Sequence, residues 1–139
     1  MMVESFYKNI LDKVLIIEKA KKDLSRQILL SKGGKKRLNF IRQFLQYEVD
    51  KHELFEHAAV VAINNKDAKV LKDISLLYMV DDEEKVLSVI RSEIGINRRF
   101  MENVKKVISY PQFASFTERR LVKEIEKYVI EKAKLYNSM

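Results

Sequence analysis

Apolar residues recur at spacings of three and four along almost the whole chain, and little interrupts them: 139 residues contain three glycines and one proline. That period is the helical one. A many-stranded fold would need far more turn-forming residues than this. The expected fold is therefore all-α, a single-domain bundle of about five helices joined by short loops. A chain near 150 residues hides roughly two-thirds of its unfolded surface on folding, and 47% apolar content is too high for a disordered tail.

The first helix is expected from about Val3 to Leu30. Ile10, Val14, Ile17, Leu24 and Ile28 form its seam, with Phe6, Leu11 and Leu15 widening it. Lys21 falls where that seam wants an apolar residue. Ser31, Lys32, Gly33 and Gly34 end the helix, glycine being favoured just past a helix terminus. A basic loop is expected over residues 31–37. The second helix, 38–63, turns Ile41, Phe44, Leu45, Phe55, Ala59 and Ile63 inward, and Phe40 and Tyr47 join Phe44 in the core. The third, 68–79, carries Val70, Leu71, Ile74, Leu77 and Tyr78 on one side. Asp81 reads as the cap of the fourth, 82–109, with Glu84 completing a capping box. Its heptad is Leu87, Ile90, Ile94, Asn97, Met101, Val104 and Ile108, and Gly95 could mark a kink. Pro111 ends it. Ser115 and Glu118 form a second capping box ahead of the fifth helix, 117–136, which packs through Leu121, Ile125, Tyr128, Val129 and Leu135.

The chain has no cysteine. That excludes a disulfide scaffold, a thiol nucleophile, a cysteine zinc site and an iron–sulfur cluster. Residues 1–30 carry Glu4, Lys8, Asp12 and Lys13 among their apolar residues, unlike a signal peptide. The longest wholly apolar run, Ala58–Ile63, has six residues, against about 20 for a membrane span. A soluble cytoplasmic protein with no membrane partner is expected.

Charge is segregated along the chain. The net charge of +7 divides into +7 over residues 1–42, −5 over 43–97 and +5 over 98–139. Between Lys19 and Arg42, nine basic residues face Asp23 alone. Lys32, Lys35, Lys36 and Arg37 surround Gly33 and Gly34 near the start of a helix. Cations there oppose the helix dipole, and an anion held by free backbone N–H groups and these side chains would relieve the conflict. The competing reading is a hydrated loop that confers solubility. Arg91, Arg98 and Lys105, spaced by seven, share a helix face able to track phosphates or simply to meet solvent. Arg120, Lys123, Lys127 and Lys134 form a further row, and Glu124, Glu126 and Glu131 are placed to pair with it. Tyr110, Phe113 and Phe116 are expected to plug one end of the core. Exposed, they could stack on unpaired bases.

Catalytic signatures are weak. His52 and His57 lie five apart, about 500° around a helix, so the rings diverge by about 140°. Glu48, His52 and Glu56 share a face, which leaves a site completed from elsewhere conceivable, but surface ion pairs explain them as well. Gly33-Gly34-Lys35 lacks the spacing of a P-loop. No enzyme, metal or cofactor is expected.

Two functions fit these features. The first is a non-enzymatic binding protein that contacts phosphates of nucleic acid, or a nucleoprotein complex, with little sequence specificity. Its sites would be Lys19, Lys22, Arg26, Lys32, Lys35, Lys36, Arg37 and Arg42, with Arg91, Arg98 and Lys105. The second is a helical assembly module, a homo-oligomer (a dimer foremost) or a small subunit of a viral or RNA-guided complex. It would dock charge blocks on an acidic or basic protein surface and bury a second apolar face of the first helix.

Overall fold

The computed structural model describes residues 2–139, with side chains from residue 4 onward. Among these residues the chain is all-α. Helix α1 spans Met2–Leu30, α2 Gly34–Asn64, α3 Ala68–Leu77, α4 Val86–Ser109 and α5 Phe116–Asn137. Two single 3₁₀ turns, Glu83–Lys85 and Pro111–Phe113, precede α4 and α5.

The direction of each helix follows from which side chains meet. Phe6 packs edge-on against His57, whereas Lys21 bonds Glu48, so α1 and α2 are antiparallel. Glu56 pairs with Arg91 and Glu53 with Arg98, so α4 reverses α2. Lys106 reaches Glu118 and Phe100 reaches Tyr128, so α5 reverses α4. The four long helices form an up-down-up-down bundle, with α3 laid across the end where α2 leads into α4.

The core has two apolar parts. Ile10, Val14, Val49, Ala58, Ala59, Ile74, Val86, Ile90 and Ile94 fill the half next to α3. Leu24, Ile28, Ile41, Phe44, Leu45, Val104, Val122, Ile125, Val129 and Ala133 fill the other. Burying a side chain the size of leucine or phenylalanine contributes about 1.5–3 kcal/mol, so each half is a substantial source of stability. Phe44 is buried, with Phe40 and Tyr47 packed beside it, as expected.

Several boundaries differ from the sequence reading. Helix α2 begins at Gly34, so the loop is only residues 31–33, and Lys35, Lys36 and Arg37 lie in the first helical turn. Lysine and arginine are good helix formers, and the turn forms despite the unfavourable dipole. Helix α3 stops at Leu77, after which Met79 takes a positive φ of 53°. The cap near residue 82 is Asp82, which accepts from the Glu84 N–H at 3.0 Å, and not Asp81. Helix α4 is unbroken at Gly95. Ser115 and Glu118 do form a capping box. Some residues assigned to the interior are exposed: Leu11 and Leu15 on α1, Ile63 on α2, Leu77 on α3, and Leu121, Tyr128 and Leu135 on α5. The α5 stripe runs instead through Val122, Ile125, Val129 and Ala133.

Candidate nucleic-acid interface

The up-down topology places the α1–α2 loop and the α4–α5 link at one end of the bundle, and α3 at the other. Residues far apart in the chain converge there. Six basic and no acidic residues lie between 26 and 42, and five basic residues against Glu118 alone lie between 105 and 123. The rest of the molecule is therefore net negative.

Lys32, Lys35 and Lys36 are exposed at this end, as are Arg26 and Lys105 on the last turns of α1 and α4. Arg42 is half-buried just below. Arg37 has a structural task as well: its guanidinium donates to the Ser31 carbonyl and, at 3.2 Å, to the Ser31 hydroxyl, closing the loop. Gly33 and Gly34 have φ of 99° and 74°, the left-handed region that glycine adopts at little cost. Helix α2 has no capping side chain and no acid in its first turn.

Other expected residues lie elsewhere. Lys19 is exposed nearer the middle of α1, and Lys22 donates to the Met139 carbonyl at 2.9 Å. Arg91 and Arg98 are not a free stripe. Arg91 bonds Glu56 at 2.9 Å and Arg98 bonds Glu53 at 2.6 Å, since α4 lies beside the acidic face of α2. Only Lys105 of that row belongs to the basic end. The expected pairing along α5 reduces, among the described residues, to Lys134 with Glu131 at 3.2 Å.

The aromatic link corrects the sequence reading most. Tyr110, Phe113 and Phe116 are 58%, 72% and 80% exposed, so they do not plug the core. None of the three belongs to either core cluster, and the link follows Ile108 and Ser109 at the end of α4. It is well fastened. Phe113 N–H donates to the Tyr110 carbonyl at 3.0 Å and Arg119 donates to the Pro111 carbonyl. Glu118 accepts from Lys106 at 2.6 Å and from the Ser115 N–H at 3.1 Å. The Lys106 contact foremost, with the Ser115 bonds, holds the Glu118 carboxyl down to about 2. Lys106 and Arg119 were not singled out in the sequence. Their signal was their position on either side of the aromatic cluster.

A second polar feature lies between the two halves of the core. Lys21 is wholly buried and bonds the buried Glu48 and the Tyr136 hydroxyl. Tyr136 in turn donates to Glu18 at 2.5 Å. Lys51 sits 3.2 Å from Glu18, Lys132 3.7 Å from Glu48, and His52 Nε2 3.4 Å from Glu48. His52 Nδ1 shares a 2.6 Å hydrogen bond with Tyr78. His52 and Glu48 are thus interior groups, while Glu56 of the same face turns to Arg91, so the three do not converge. Burial would raise the Glu48 carboxyl, but the His52 bond and the Lys21, Lys51 and Lys132 ammonium groups outweigh it and hold it far below the usual range. Glu18 is lowered too, against burial, by Tyr136, Lys21 and Lys51. Burial pushes Lys21 down to about 8 against the pull of Glu48. Burial first, then nearby carboxylates, raises the Tyr78 and Tyr136 hydroxyls.

Compared with protein-family profiles, curated proteins and solved structures, the chain matches none.

The two features differ in what they can do. In the inner layer, cations and carboxylates satisfy one another. At the basic end, exposed cations outnumber carboxylates.

Proposed function

We propose that the protein is a non-enzymatic nucleic-acid-binding module, with phosphates held at the α1–α2/α4–α5 end and little sequence specificity. The observation that carries this reading is the convergence of the two basic chain segments on one end of the bundle, where Glu118 is the single acid among residues 26–42 and 105–123. A phosphate chain meeting such a surface releases counterions, the main source of non-specific affinity. The contacts are to phosphate, which positions a ligand without reading bases. The test is equilibrium binding of a labelled mixed-sequence oligonucleotide. Replacing Lys32, Lys35 and Lys36 together by Ala should weaken binding about tenfold or more. Replacing Arg91 and Arg98 by Ala should change it little, because both are engaged with α2. The reverse ranking contradicts the proposal.

A second reading has its own observation. Leu11 and Leu15 on α1 and Leu76, Leu77 and Met79 near α3 are exposed, and Leu11 and Leu77 line a shallow groove of about 210 Å³. This apolar strip favours self-association, a dimer foremost, through the end opposite the basic one. Light scattering at high concentration decides it: a strict monomer removes the homo-oligomer.

A further inference from the structure

We infer that the ligand is single-stranded, with unpaired bases stacking on Tyr110, Phe113 and Phe116; this rests on the proposed function above.

Three aromatic rings within seven residues stand mostly in water, although aromatic residues carry the largest apolar surfaces and are normally drawn into cores or interfaces. Nothing in the fold frees the link to bury them, because it is tied at both ends. The Tyr110–Phe113 turn bond, the Arg119 bond to Pro111 and the capping box with its Lys106 pair fix the backbone from which the rings project. Three residues of chain reach at most about 11 Å, so Phe113 and Phe116 are close neighbours. An anchored pair of phenylalanines with a tyrosine beside it loses little conformational freedom on binding.

The surroundings identify what lies over them. Arg120 is exposed one turn into α5, Lys105 is exposed beside the link, and Lys35 and Lys36 crown the facing helix. A ligand covering this end must present flat apolar faces and negative charge at close intervals. A single-stranded nucleic acid does both, since every base has a face that stacks on an aromatic ring while the backbone follows a basic groove. A duplex hides those faces in its own stack and offers this end only phosphates. An anionic membrane would also meet cations and rings. However, the exposed basic residues continue from the tip down the flanks of α1 and α5 through Arg26, Lys123 and Lys127, which suits a strand that runs along the bundle better than a plane that touches its tip.

The chain contains no tryptophan, so Phe113→Trp creates a single reporter at an exposed position where folding should be unaffected. Three probes are used: a mixed-sequence single strand, its duplex of equal length, and vesicles rich in phosphatidylserine. The expected result is tighter binding of the single strand than of the duplex, with the Trp emission quenched by the single strand. Phe113→Ala with Phe116→Ala should cost about tenfold per ring on the single strand and little on the duplex, with the thermal melt unchanged. Equal affinity for both forms, with no quenching, overturns this inference and leaves the phosphate reading intact. Failure to bind any nucleic acid at low salt overturns both. A blue-shifted Trp on the vesicles, with no response to oligonucleotides, overturns both in favour of a lipid surface.

Discussion

Lys21 and Glu48 set the terms for the interior at the level of single residues. A buried ion pair seldom adds net stability, because desolvation of both ions offsets their attraction, but removing one partner leaves an uncompensated charge at a cost of about 3–5 kcal/mol. Glu48 is the hub, with Lys21, Lys51, Lys132 and His52 around it. Glu48→Gln should therefore destabilise the protein by about 3–5 kcal/mol in urea unfolding. The double change Lys21→Met with Glu48→Leu should recover most of that loss. A Glu48→Gln protein as stable as the wild type would show that the cluster is energetically idle. The same groups set a pH dependence. The Glu18 and Glu48 carboxyls lie below their ordinary value of 4.5 in the folded state. Their stabilising contribution is full above that value and drains away as pH falls below it and through the folded-state values. Lys21 acts in the same direction in a higher window: its folded value of about 8 lies below the ordinary 10.5, so its burial is a cost at neutrality that lessens as pH rises through that window. Unfolding midpoints measured from neutrality downward should fall steeply below about pH 4.5. The fall should be shallower in the Lys21→Met/Glu48→Leu variant.

At the scale of elements, the helices themselves were legible because their period and scarce breakers left no rival. The Ser115 cap was equally plain, since its partner Glu118 is three residues away and both act locally. Ser115→Ala should cost about 1 kcal/mol of stability and loosen the aromatic link, measurable as faster amide exchange at the start of α5. Unchanged exchange there would mean that the Arg119 bond alone fixes the link. Other features were not local, and so were not legible. Lys21 stood out as an exception in the α1 seam, and Glu48 and His52 stood out as polar residues sharing a face. Yet the groups that join them come from α3 and α5 as well, and sequence spacing on one helix cannot reveal partners on another. The exposure of Phe113 and Phe116 was missed for a related reason. An apolar residue is buried only if another element faces it, and at 72% and 80% exposure Phe113 and Phe116 have little packed over them. Arg91 and Arg98 looked like a phosphate stripe because their spacing is right. The acids that occupy them, Glu56 and Glu53, belong to α2. The polar layer also bears on register. It separates two apolar halves, so sliding α1 past α2 by one turn would part Lys21 from Glu48 and leave buried charges unpaired, a far larger penalty than the layer itself imposes.

For the whole molecule, folding converts a charge pattern along the chain into a charge pattern in space. The basic segments 26–42 and 105–123 are separated by more than 60 residues in sequence, yet the up-down topology stacks them at one end. Of the acidic residues of the middle segment, Glu48, Glu53 and Glu56 are consumed, and Asp81, Asp82 and Glu84 are carried to the far end. The apolar strip over Leu11 and Leu77 lies toward that far end, so self-association there would leave the basic end free. The central claim is that this end binds a phosphate chain, and the salt dependence of oligonucleotide affinity tests it most directly. With four to six phosphates neutralised, log K against log salt should fall with a slope of about −3 to −4 for a single strand. Affinity that holds constant from about 50 to about 200 mM salt, or a slope unchanged when Lys32, Lys35 and Lys36 are replaced by Ala, would contradict it.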